Sequence, residues 1–203
     1  MTYYQRNLPH WLPEGETVFL TWRLHGSLPA SFLRDLKDQS QASAGRKFRK
    51  AEAELDRARH GPLWLKDGRV AEVVVNTINR GAAALGQYRL HAFVVMANHV
   101  HVLIDPWLPL KRITDGLKGV SAREANKILR RTGRRFWQDE SFDRWVRSSK
   151  EFERIRAYIE WNPVTAGLVV RPEHWPWSSA TLRASAVGNQ DAPAVAYPAP
   201  GRK

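Results

Sequence analysis

Two short stretches carry residue types that could do chemistry together. In residues 96–104 (MANHVHVLI), His99 and His101 stand two apart. On a strand this spacing puts both imidazoles on one face and Val100 and Val102 on the other. Two adjacent imidazoles on rigid backbone suit a single metal ion. The plainer reading is two polar side chains on the wet face of a sheet. His91, at the start of the same region, suits packing or hydrogen bonding better than ligation. In residues 158–163 (YIEWNP), Tyr158 and Asn162 are four apart, which brings a phenol and an amide to one helical face. A phenol can act as a nucleophile, and an amide oxygen can bind a metal. Asn162 precedes Pro163, which biases it away from helical backbone, so it also fits as the cap of a short 163–166 turn. On spacing alone, the structural reading of both residues prevails.

The surrounding pattern says what must hold these groups. Residues 17–24 (TVFLTWRL) read as a first strand closed by Gly26 and Pro29. A charged helical stretch follows over 30–60, with Gly45 as a weak point and few apolar residues, so much of it should face solvent. Gly61-Pro62 ends it, and a second helical segment covers 69–87. Residues 88–95 (YRLHAFVV) and 99–104 form two strands joined by a tight connection, an antiparallel hairpin. Residues 110–129 are helical and basic, 134–146 hold a fourth strand with a loop, and 149–161 form a further helix. In that helix Phe152, Ile155 and Ile159 share the face that should anchor it to the sheet. Asn162-Pro163 should open a turn that Gly167 ends. The order of elements predicts an α+β domain, an antiparallel sheet with helices on one face. A single domain over 1–183 and a disordered Pro/Ala-rich tail over 184–203 complete the expected organisation.

Composition narrows the chemistry. The chain of 203 residues has a formal charge of +12 and a pI of about 10.5, which suggests a polyanionic partner. Hydrophobic residues make up 43%, enough for a folded core. The absence of cysteine excludes disulfides, thiolate nucleophiles and Cys-type zinc sites. No GxxxxGK or GxGxxG loop is present, which argues against a nucleotide-driven motor or kinase. The stretches free of charge are too short and polar for a membrane span, and residues 1–13 lack the apolar core of a signal peptide. A soluble, cytoplasmic, nucleoid-associated protein is expected. From Lys111 to Tyr158 there are 14 Lys or Arg and 7 Asp or Glu, interleaved with Phe136, Trp137, Phe142, Trp145 and Phe152. Basic groups track phosphates and aromatic faces stack on unpaired bases. A solvated basic surface over core aromatics reads the same way. Arg134, Arg135 and Arg144 are the best candidates for contact with nucleic acid.

Taken together, four blocks give the chain its resemblance to a known family. They are RNLPHW with FLTWRLHGSLP in residues 6–29, GPLWL in 61–65, YRLHAFVVMANHVHVLIDP in 88–106, and FWQDESFDRWVR through YIEWNPVTAGLV to WPWSSA in 136–180. In order and spacing they resemble the REP-associated tyrosine transposases of the single-tyrosine HUH nuclease superfamily. Ala97 departs from the proline common in the family's turn, and the charged insert around 39–59 has no assigned role. The resemblance implies a ferredoxin-like antiparallel sheet with the HUH pair on a central strand. It implies Tyr158 as nucleophile and His99, His101 and Asn162 as ligands of Mg²⁺ or Mn²⁺. It implies nicking and rejoining of single-stranded DNA through a 5′-phosphotyrosine, on REP-type hairpins with a single-stranded flank. The protein would act as a monomer or homodimer. Two rivals remain: a domesticated, non-catalytic hairpin-binding regulator, and a metal-dependent phosphodiesterase that uses water as nucleophile.

Overall fold

The computed structural model describes residues 2–5, 9–12, 15–39 and 41–188, with side chains over 15–39 and 41–184. The chain begins with a two-stranded ribbon, β1 (Thr2–Gln5) paired antiparallel with β2 (Pro9–Leu12). There follow β3 (Val18–Arg23), α1 (Ala30–Asp38), α2 (Ala44–Arg57), α3 (Gly68–Ala83), β4 (Tyr88–Val95), β5 (His99–Pro106), α4 (Leu110–Ile128), β6 (Phe142–Trp145), α5 (Ser149–Thr165) and α6 (Ser179–Gly188).

The main sheet has the order β4-β5-β3-β6, antiparallel throughout. This is the ferredoxin-like arrangement, in which the hairpin's second strand inserts beside the first strand of the domain. β5 is therefore central, flanked by β3 and β4. The α+β class and the place of the His-Val-His motif on a central strand are as the sequence implied. The expectation of helices on one face is corrected: both faces are covered. Val100, Val102 and Ile104 pack with Val18, Leu20 and Trp22 of β3 against Val70, Val74 and Ile78 of α3 and Ile113 and Leu117 of α4. On the other side, Leu103, Phe19, Ala92 and Val94 meet Ile155 and Ile159 of α5, with Phe48 of α2, Phe142 and Phe152 packed around them. The reason is burial on both sides of β5: all of its residues from His99 to Asp105 are buried, the histidines included. The reading of His99 and His101 as residues of a wet face is thereby overturned.

The charged stretch over 30–60 is two helices, not one. The break falls at 39–43, ahead of Gly45, where the Ser43 side chain accepts a hydrogen bond from the Arg46 amide and starts α2. α1 has no buried residue, but α2 buries Glu52 and Leu55. Tyr88 is packed, as expected, and its hydroxyl donates to the Ile78 carbonyl. Only glycine fits at 81, because a Cβ there would collide with that hydroxyl.

The helix carrying Tyr158 runs further than its sequence suggests. Asn162-Pro163 does not open a turn, because α5 continues through Pro163 to Thr165. The bias of a residue before proline is overridden here by burial of Ile155, Ile159, Asn162 and Pro163 on one side of the helix. Gly167 ends it as expected, with φ +70 and the paired bonds Gly167 N–H to Val164 and Leu168 N–H to Pro163 that close a helix in the left-handed manner. At the other end, Ser148 accepts from the Glu151 amide, and the Glu151 carboxylate accepts from the Arg147 amide. The fourth strand is confined to 142–145, with a single bridge from Leu24 to Trp137 ahead of it. Of the predicted tail, 184–188 belongs to α6, and 189–203 lies outside the described residues. No helix among the described residues is long and apolar enough to cross a membrane.

Candidate functional site

Strand geometry aims both histidines at one spot. His101 pairs with Thr21 across β3 and with Val94 across β4, and His99 pairs with Arg23. Both imidazoles are 0% exposed, and their ring centroids lie 4.8 Å apart. Each is held through its Nδ1. The Asn98 side-chain Oδ1 lies 2.7 Å from His99 Nδ1, while Asn98 Nδ2 donates to the Leu55 carbonyl of α2 at 3.0 Å. With its nitrogen so engaged, Asn98 offers only its oxygen to the ring, so His99 Nδ1 carries the proton and Nε2 faces the site as a bare lone pair. The Thr21 hydroxyl lies 2.7 Å from His101 Nδ1 and orients that ring in the same way.

Facing them is a carboxylate from the segment to which the sequence assigned no role. Glu52 of α2 is 5% exposed, and its Oε2 lies 2.8 Å from His101 Nε2 and 4.0 Å from His99 Nε2. The Tyr158 hydroxyl donates to the same oxygen at 2.7 Å. Asp56, one turn along α2, places Oδ1 at 3.6 Å from His99 Nε2. The Phe19 ring stacks on His101 and meets Tyr158 edge-on, with centroids at 5.5 and 6.1 Å. Tyr158 is 37% exposed, so the phenol stands at the rim with one side open to solvent.

The electrostatics follow from burial around one negative charge. Burial lowers the His99 pKa to about 3 against the pull of Glu52, which keeps the ring neutral. Burial would raise Glu52, but the charge and hydrogen bonding of His101, with His99 and Tyr158 behind, outweigh it and hold the carboxyl at about 2. Burial and the Glu52 charge raise Asp56 to about 6. Burial, the Glu52 charge and the hydrogen bond to Glu52 push the Tyr158 phenol well above the ordinary range, while the Asn162 side chain pulls it back.

A divalent ion fits this setting. His99 Nε2, Asp56 Oδ1 and Asn162 Oδ1 are buried without a hydrogen-bond partner, and His101 Nε2 meets only Glu52. Donor atoms of Glu52, His99 and His101 lie within 4.8 Å of one another. Neutral imidazoles and a carboxylate are the protonation states that bind metal. Thus the structure brings His99, His101 and Tyr158 together as the sequence implied, and it places buried Asn162 on the helix of Tyr158 with its side chain acting on the phenol. Glu52, Asp56, Asn98 and Thr21 were missed. One signal was present: Phe48, Glu52 and Leu55 share a helical stripe, so a carboxylate falls where a basic amphipathic helix should be apolar. The three arginines are exposed, but two are occupied: Arg144 pairs with Glu151, and Arg135 lies 3.3 Å from Asp139.

Fold and site together define an α+β protein with a four-stranded antiparallel main sheet, on which paired imidazoles and a phenol converge on one buried carboxylate. Comparison with known proteins gives one family match and two similar structures. Residues 64–162 match the family described as "Transposase IS200 like", a stretch that holds His99, His101, Tyr158 and Asn162. That stretch is just under half of the chain. A solved REP-associated tyrosine transposase bound to a REP hairpin aligns over 99% of this chain and 93% of its own, with 17% identity and a TM-score of 0.53, which shows the shared fold. A protein described as a transposase of Deinococcus radiodurans R1 aligns over 78% of this chain and 96% of its own, with 20% identity and a TM-score of 0.34. No curated protein matches the chain.

Proposed function

We propose that the protein is a metal-dependent enzyme that nicks and rejoins single-stranded DNA beside hairpins, with Tyr158 as nucleophile. The observation that carries this reading is the shared oxygen: Glu52 Oε2 lies 2.7 Å from the Tyr158 hydroxyl and 2.8 Å from His101 Nε2, so nucleophile and imidazole pair address one point. Tyr158 attacks the scissile phosphorus, a Tyr–O–P bond forms, and the bond from phosphorus to the 3′-oxygen breaks. The phenol gives up its proton and the departing 3′-oxygen takes one up, so the step consumes no net acid or base. The energy of the phosphodiester is retained in the phosphotyrosine, and a second 3′-hydroxyl can reverse the reaction without ATP.

Mg²⁺ or Mn²⁺, held by His99 and His101 with Asn162 as the oxygen donor implied by the resemblance, supplies charge neutralisation at the phosphate when bound. Phe19 holds the Tyr158 and His101 rings at fixed angles, so the phenol meets its target in a preset geometry. The partial exposure of Tyr158 leaves a path for a DNA strand to reach it. The substrate is a hairpin with a single-stranded flank, bound through exposed basic residues that include Arg134, Arg135 and Arg144. Residues 1–183 act as one catalytic domain, as monomer or homodimer, at the nucleoid. The deciding experiment incubates the protein with labelled hairpin DNA and Mg²⁺ and looks for an SDS-stable protein–DNA band. Its appearance supports the reading. Its absence, with hairpin binding intact, favours a binding regulator.

A further inference from the structure

We propose that the Glu52 carboxylate of α2 is a ligand of the ion beside the Asn162 amide, so that a segment outside the family-matched region closes the metal site. This inference rests on the reading that His99 and His101 hold a divalent ion. Its first support is chemical. The Nδ1 atoms of both rings are engaged by Asn98 and Thr21, so both Nε2 atoms point inward. At His101 the Nε2 atom then faces a carboxylate oxygen across 2.8 Å, which places a nitrogen and an anionic oxygen donor side by side.

The second support is geometric. The three donor atoms lie within 4.8 Å of one another, and ligands of one small divalent ion are separated by about 3 Å when each bond is about 2.1 Å. Small side-chain movement closes that gap. The third support is the way α2 is fastened. Leu55 is buried and its carbonyl accepts from Asn98, the residue that also orients His99. Phe48 stacks on Phe142 at 4.0 Å and meets Phe19 at 5.7 Å. The same helix thus sets a ring and presents the carboxylate, which is preorganisation of a ligand set.

The fourth support is charge. Among the ion pairs of the described residues, the partners of Glu52 are the two imidazoles alone. A buried carboxylate is costly, and a divalent ion offsets that cost. A carboxylate oxygen suits hard ions such as Mg²⁺ and Mn²⁺, and a two-imidazole, one-carboxylate set also serves Zn²⁺. The family match begins at residue 64, so α2 lies outside the matched segment.

The test measures Mn²⁺ binding to the full chain by the loss of the free-ion electron paramagnetic resonance signal, with Zn²⁺ binding measured in parallel. Glu52→Gln keeps the shape and removes the charge. It is expected to weaken Mn²⁺ binding by about 100-fold, and to weaken Zn²⁺ binding less. Hairpin binding in chelator and the thermal midpoint report on folding, and Glu52→Asp, which restores a carboxylate, is expected to recover part of the affinity if the glutamine variant is poorly folded. Mn²⁺ affinity unchanged in a folded Glu52→Gln overturns the proposal. In that case His99, His101 and Asn162 hold the ion without Glu52, and the proposed enzymatic function stands. If His99→Ala binds Mn²⁺ as the wild type does, the ion is elsewhere and the functional reading fails as well.

Discussion

On the side of the sheet covered by α3 and α4, β5 presents Val100, Val102 and Ile104 to other apolar side chains. On the side covered by α2 and α5 it presents His99 and His101 to a carboxylate, a phenol and an amide. The two sets alternate along the same eight residues and are buried to the same degree. One face gains stability simply by leaving water, in proportion to apolar area. The other places several polar atoms out of water without hydrogen-bond partners, at a cost to stability that a bound ion would recover. The difference teaches that burial alone does not mark a core. What separates core from site is whether the buried groups are satisfied by the protein itself.

The largest effect that would sharpen this contrast concerns Tyr158. Tyr158→Phe keeps the ring and its contact with Phe19, and loses one hydrogen bond to Glu52. It is expected to abolish covalent adduct formation, a loss of about 1,000-fold or more, with hairpin binding and fold retained. Mass spectrometry of the wild-type adduct should place the nucleotide on the peptide containing Tyr158. A nucleotide on another tyrosine, or full nicking by Tyr158→Phe, would reject the mechanism.

The next test sets the two faces directly against each other. His99→Ala or His101→Ala is expected to abolish cleavage while stability in chelator changes little. Ile104→Ala, on the apolar face of the same strand, is expected to cost about 2–5 kcal/mol of stability while leaving Mn²⁺ affinity unchanged. Denaturant titrations and metal binding on the three variants decide this. Cleavage at the wild-type rate by either histidine variant breaks the comparison.

A smaller effect appears with pH in the metal-free protein. The folded pKa of His99, about 3, lies below its ordinary value of 6.5, so between these limits the unfolded chain holds more protons and stability rises with pH. The folded pKa of Asp56, about 6, lies above its ordinary value of 3.8, so in that window the folded chain holds more protons and stability falls as pH rises. Glu52, held at about 2, contributes stability that is lost only as pH falls below its ordinary 4.5 toward that value. Between pH 4.5 and 6 the first two oppose each other. Asp56→Asn removes one, and the variant should show stability that rises by up to about 1.4 kcal/mol per pH unit there. Unfolding curves with a flat pH response in the variant would show that His99 is not held neutral by burial.

The smallest effects belong to the surface. Binding to hairpin DNA should weaken with salt at a log–log slope of about −0.7 for each single-strand phosphate contact, and flanked hairpins should bind better than blunt duplex. Arg134→Ala should lower that slope more than Arg144→Ala, because Arg144 is already paired with Glu151. That pair is only half at the surface, since Arg144 is exposed and Glu151 is buried. Equal affinity for hairpin and duplex at matched salt would favour nonspecific basic binding.

Much of this frame was legible in the sequence because it is written in local periodicity. Alternation over 88–95 and 99–104 gave the hairpin and put His99 and His101 on one face, and a helical repeat gave the anchoring stripe Phe152, Ile155 and Ile159. The order of blocks implied the sheet topology through its resemblance to a family. Where local rules failed, packing had overruled them. Pro163 sits inside α5 because burial around it and the Gly167 closure outweigh a backbone bias.

The amino-acid sequence by itself determined the paired imidazoles, the phenol, the excess of basic charge and the strands and helices that carry them. Each of these depends on neighbours within a few residues, and a period of two or of 3.6 is enough to place them. Only the tertiary structure decided that Glu52 belongs to the same site, across 106 residues from Tyr158. No local period relates a helix in a charged insert to a helix near the other end of the chain. Their meeting depends on how α2 and α5 share one face of the sheet, which is settled by long-range packing of Phe48, Leu55 and Phe19. The tertiary structure also decided that the histidines are dry. A strand's alternation tells which side chains share a face, and only the layer packed over that face tells whether it meets water.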